Sequence, residues 1–138
     1  MTRFPKIANC ACKANIKTAI KRIRNKDQPC VTGRVVATFS FGFWVGLMQP
    51  RYHPDLWSSH LRVAFPYLPA DKSYSDIAAS AKRVADLRNR ISHHEPILGM
   101  DLSNEFRVAM ELLGWLCPRK AEWLRPACRV HQILRQKP

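Results

Sequence analysis

Residues 77 to 91 carry Ile77, Ala81, Val84, Leu87 and Ile91 at helical spacing, and Pro96 stops the run soon after. At about 100° per residue these side chains share one face of a helix. A helix with one apolar face must bury it against another element. The same period returns in Leu102, Phe106, Ala109, Leu113 and Leu116, alternately four and three residues apart. Two such helices, joined by a short Pro- and Gly-bearing segment, predict an all-α fold.

Proline and glycine divide the remainder into further helices. The first is expected from about Ile7 to Lys26, with Cys12, Ile16, Ala19, Ile20 and Ile23 as its apolar stripe. Lys13, Lys17, Lys21 and Arg24 line a neighbouring face. A basic amphipathic helix can bind RNA backbone or a membrane surface, although such a stripe more often just faces water. Thr32 is placed to cap a second helix reaching about Met48. Pro54 suits the first turn of a third, ending before Pro66. A fourth is expected over Tyr74–Ser92 and a fifth over Leu102–Leu116, and Pro118 opens a short sixth. Residues 1 to 30 read as a basic N-terminal helix or arm, and residues 31 to 138 as the main helical domain. The segment 102 to 130 also has the outline of a helix-turn-helix, a second route to nucleic acid.

The 138 residues are enough for one core without staples, and the formal charge is +13. Such a field draws polyanions. Nine basic residues fall within positions 1 to 34 against one acid, Asp27. The five cysteines at 10, 12, 30, 117 and 128 include no C-x-x-C pair. This disfavours a disulfide framework or a zinc ribbon and fits free thiols in a reducing cytoplasm. The longest apolar stretch, VVATFSFGFWVGLM, has 14 residues, short of the roughly 20 a spanning helix needs. It reads as a helix buried on all sides.

The stretch LRNRISHHEP, residues 87 to 96, holds the chemistry. Arg88 falls in the series 77, 81, 84, 88, 91, near the middle of the apolar face. An arginine there is costly unless it is paired or its head snorkels out. Asp101, Glu105 and Glu111 are candidate partners, while Arg83 and Arg90 point elsewhere. His93 lies five positions after Arg88, about 140° away around a continuing helix. The two converge only if the helix ends between them or two copies of the chain face each other. Pro96 pushes Glu95 out of the helical region, so His93 and His94 fall at or just past the last turn. A cationic histidine there is favoured by the helix dipole.

Neither H-E-x-x-H nor a nucleophile elbow is present, and adjacent His93, His94 and Glu95 diverge too much to share a metal. A guanidinium, an imidazole and polar neighbours remain. That set suits cleavage of a phosphodiester whose own 2′-hydroxyl is the nucleophile. Imidazole moves protons near neutral pH, and guanidinium holds the nonbridging oxygens.

With Tyr52, Pro54, Leu56 and Trp57, then Ala64-Phe65-Pro66, after FGFWVGLM, and ELLGWLCP at 111 to 118, LRNRISHHEP resembles the signature of Abi-like (abortive infection) proteins of the HEPN superfamily. The likeness covers about residues 31 to 125. Fewer residues precede FGFW than is usual in such proteins, as in an N-terminally shortened member. The resemblance implies a HEPN-type bundle of five to six helices. It implies a homodimer that brings the Arg and His motifs of two protomers into one cleft. It further implies a metal-independent endoribonuclease, without cofactor, of phage-defence or toxin–antitoxin type, with RNA as substrate and an antitoxin as possible partner. In that frame Arg88 stabilises the phosphate and His93 is the general acid or base. Asn89 orients either, and His94 and Glu95 complete the motif. Lys13, Lys17, Lys21, Arg24 and Arg90 are the candidate RNA contacts. A non-catalytic HEPN module that binds RNA or protein is the alternative.

Overall fold

A computed structural model describes residues 10–26 and 29–136. The described residues are all-helical, with no strand: α1 (Cys10–Arg24), α2 (Thr32–Thr38), α3 (Phe41–Leu47), α4 (Arg62–Ala64), α5 (Tyr74–Ser92), α6 (Leu102–Leu116), α7 (Pro118–Leu124) and α8 (Val130–Arg135). A 3-10 turn (Pro50–Tyr52) and a π-helical segment (His53–Leu61) precede α4, and a second 3-10 turn (Arg125–Ala127) follows α7. Contacts divide the chain into two compact units, one up to Leu56 and the other from Trp57. No described helix is long and apolar enough to cross a membrane.

In the first unit α1 packs against α2, so the expected boundary at residue 30 falls between two helices in contact. Ala19 and Ile23 of the α1 stripe are buried, and Lys13, Lys17, Lys21 and Arg24 are exposed. Ile7 and the side chain of Cys12 lie outside the described residues.

The helix expected over Thr32–Met48 is two helices. Phe39 is extended (φ −80°, ψ 137°), and Ser40 caps α3 by accepting from the N–H of Phe43 at 3.4 Å. Thr32 is the first helical residue rather than the cap, which is Val31. Nor is the segment buried on all sides: neither α2 nor α3 contains a buried residue. Phe41 and Trp44 are 42% and 37% exposed.

The second unit is built on α5 and α6. Tyr74, Ile77, Ala81 and Ala85 of α5 are buried, as are Val108, Met110, Leu112 and Trp115 of α6. Burial of a large aliphatic or aromatic side chain contributes roughly 1.5–3 kcal/mol, which makes this helical pair the main core. Both helices start where their caps dictate. The Asp76 carboxylate accepts from the N–H and hydroxyl of Ser73, each at 2.8 Å. Asp101 accepts from the N–H of Asn104 at 3.0 Å. These bonds satisfy donors that the first turn leaves open. α7 and α8 pack on α6.

Candidate functional site

The end of α5 is a helix stop built from HHEP. His93 is the C-cap, and His94 takes the left-handed conformation at φ 56°. The N–H of His94 donates to the carbonyl of Ile91 at 3.2 Å, and that of Glu95 to the carbonyl of Arg90 at 2.9 Å. This is the Schellman pattern, with Pro96 directly after it. The left-handed position normally takes glycine, because a β-carbon there costs roughly 1–2 kcal/mol. His94 is the only described non-glycine residue with positive φ. Gly99, placed in the same loop, does not take that role.

Arg88 is not on a core-facing position. It is exposed, as is every residue from Arg88 to Pro96. The cause is the reach of α6. Tyr67, seven residues ahead of α5 in the loop that leads into it, donates its N–H to the carbonyl of Trp115 near the end of α6. Arg83 meets Glu105 in the first turn of α6 at 2.5 Å. The two helices are therefore antiparallel, and because α6 begins three residues before Glu105, α5 runs on past that start for nearly two turns, about 9 Å at 1.5 Å per residue. Ile91 shares this overhang and is 54% exposed. The apolar period continues past the point where anything packs on it.

The arginine that pairs across the helices is thus Arg83, not Arg88. Its hydrogen bond to Glu105 is the main cause that raises its pKa above the ordinary value, with the nearby charges of Glu105 and Asp101 adding to it. Arg88 donates to the Oδ1 of Asn89 at 3.1 Å, and among the described residues no carboxylate pairs with it. Arg90 reaches the carbonyl of Pro96 at 3.5 Å, a distance at which little remains of a hydrogen bond. The hydroxyl of Ser92 donates back to the carbonyl of Arg88 at 2.8 Å.

His93 still donates its own N–H to the carbonyl of Asn89 at 2.9 Å. It therefore remains on the helical path, and the divergence of about 140° from Arg88 holds within one chain. No described hydrogen bond joins the two side chains. The structure brings Arg88 and Asn89 together and leaves His93, His94 and Glu95 exposed beside them.

Elsewhere in this unit, an open groove of about 1220 Å³ runs along α6, α7 and α8. His131 stands edge-on to Phe106 there, with ring centroids 5.2 Å apart. Arg107 in that groove is held by Glu111 at 2.6 Å and Asn104 at 2.7 Å. α6 and α7 are joined by Cys117 alone, shorter than the 3–4 residue turn of a DNA-reading helix pair. Among the described residues no group of three His, Cys, Asp or Glu could hold a metal ion. Cys30, Cys117 and Cys128 are unbridged.

No family model matches this chain, and no curated protein and no solved structure shows significant similarity to it.

Proposed function

We propose that the protein is an Abi-like HEPN ribonuclease whose active cleft forms between two copies of the chain at the overhanging end of α5. The observation that carries this reading is the state of Arg88. Its guanidinium is exposed and has no described carboxylate partner, while its neighbour Arg83 takes the available acid. A guanidinium so placed is free to meet a phosphate.

Within one chain Arg88 and His93 point apart, so an active cleft needs the His93 of one copy opposite the Arg88 of another. The exposed Ile91 beside them supplies apolar area for that meeting. In the cleft, His93 removes the 2′-hydroxyl proton or protonates the 5′ leaving oxygen. Arg88 holds the nonbridging oxygens as charge builds on them. Asn89, already bonded to Arg88, fixes its direction.

The test is cleavage of single-stranded RNA by the purified chain in EDTA. Products ending in 2′,3′-cyclic phosphate are expected. Arg88→Ala and His93→Ala each abolish cleavage while leaving the circular dichroism spectrum unchanged, and mixing the two variants restores part of it through a mixed dimer. Full cleavage by both variants removes these residues from the mechanism. Salt-dependent RNA binding without cleavage at any point from about pH 5 to 9 favours the non-catalytic binding module instead.

A further inference from the structure

The first unit contains a feature that the end of α5 does not explain. An open groove of about 780 Å³ lies between α1 and α2, and three cations line it: Arg22, Lys26 and Arg34. All three are exposed, and no described ion pair involves them. A second groove, of about 310 Å³, is lined by Phe39 and Phe43 at the break between α2 and α3. The two adjoin, because Arg22 and Thr38 line both. Together they make one track with cations at one end and aromatic rings at the other.

The rings are arranged. Phe39 and Phe43 are stacked, with centroids 3.9 Å apart and planes 12° from parallel. Trp44 stands edge-on to both, at 5.8 and 5.4 Å. From Asn15 to Lys26, the α1 residues along the track span about 16 Å at 1.5 Å per residue.

We infer that this track binds single-stranded nucleic acid, with Arg22, Lys26 and Arg34 on the phosphates and a base laid against the Phe39–Phe43 stack. Three arguments select this ligand. A cationic groove ending in aromatic rings, here the half-buried Phe39–Phe43 stack with the exposed Trp44 beside it, is how single strands are held without regard to sequence. An acidic peptide would satisfy the cations but has nothing to lay on the rings. A lipid surface is flat and cannot follow a recess between two helices. Lys13, Lys17, Lys21 and Arg24 lie on α1 but line neither groove, so they contribute field rather than contact. The inference does not depend on cleavage at α5, because binding is read without turnover.

The experiment is fluorescence anisotropy of the intact chain with a labelled oligouridine of about 12 nucleotides, a length within the site sizes of such grooves. A gel confirms that the probe stays whole. Three phosphate contacts on a single strand predict about a 20-fold loss of affinity between 50 and 200 mM salt. The triple variant R22Q/K26Q/R34Q is expected to lose at least about tenfold at the lower salt and most of the salt dependence. K13Q/K17Q/K21Q removes the same charge and loses less than about threefold. R22K/R34K retains binding, which shows that the loss follows charge rather than folding. Phe43→Leu weakens binding about fivefold or more, with the salt dependence unchanged. Preference for oligouridine or for oligodeoxyuridine identifies the sugar, and equal affinity makes the site one for either strand. Equal losses in the two glutamine triples, or equal affinity for an RNA duplex or a polyglutamate peptide, overturn the assignment.

Discussion

The two units treat charge and apolar surface in opposite ways. From Trp57 onward, three cations of the packed part of the helical pair are tied to acids: Lys82 to Asp86 at 2.6 Å, Arg83 to Glu105, and Arg107 to Glu111. Arg88 and Arg90, on the overhang, have no described acid partner. The same unit buries a continuous face of α5 against α6. Up to Leu56, no ion pair of a lysine or arginine occurs among the described residues, and α2 and α3 present Val36, Phe41 and Trp44 to solvent. Ion pairs knit the packed part of α5 and α6 together. None is described for the lysines and arginines of the first unit. Where sequence supplies few acids, positive charge is left facing outward, and that makes the first unit a second place, besides the tip of α5, to seek a polyanion.

The sharpest way to break this contrast is to remove core from each unit. Ile77 is 1% exposed. Ile77→Ala is expected to destabilise the protein by about 2–5 kcal/mol in urea unfolding, whereas Phe41→Ala costs about 1 kcal/mol or less. Similar losses would show that the first unit holds a core as tight as the second.

Next is Glu105→Gln, which keeps shape and removes the charge facing Arg83. The Glu105 side chain is only 13% exposed, so a measurable fall in unfolding midpoint is expected, smaller than that of Ile77→Ala. It shrinks in high salt, because the guanidinium it faces is partly in water. An unchanged midpoint at low salt would mean that the pairing of the second unit contributes nothing.

Within that unit, the packed and overhanging parts of α5 can be separated by His94→Gly. Relief of the left-handed β-carbon is expected to raise stability by up to about 1 kcal/mol, partly offset by the greater freedom of glycine in the unfolded chain. Chemical denaturation checks it, and a loss of stability would show that the His94 side chain makes a contact worth more than the strain.

The smallest effect is at the other end of the helix. Hydrogen bonds from the backbone and side chain of Ser73 hold the Asp76 carboxyl below its ordinary pKa of 3.8. Its contribution is complete above that value and fades as pH falls through the lowered folded value. Asp76→Asn should therefore lower stability slightly at neutral pH and by less as pH falls, so that the acid limb of the stability profile is flatter. A steeper acid limb in the variant would contradict the assignment.

The parts of the fold that local chemistry decides were readable from the residues. Ser73 with Asp76, Asp101 before Leu102, and HHEP after Ser92 mark the limits of α5 and α6, because caps act within one turn. The break at Phe39–Ser40 was hidden inside an unbroken apolar run, although Ser40 was the one residue in FSFGFW able to cap. The surroundings of Arg88 were not readable, since they depend on how far α6 extends alongside α5. For the same reason the groove cations Arg22, Lys26 and Arg34 escaped a wheel drawn for α1 alone: only the packing of α2 selects them from the other basic residues. Periodicity tells which face a residue is on, not whether a neighbour reaches it.

The overhang of α5 has one more consequence. Its last two turns are fastened by backbone bonds and little else, so their amide hydrogens should trade with solvent sooner than those around Ile77. Whatever comes to rest on that tip must slow the exchange, and the slowing would announce an occupant before any chemistry is observed.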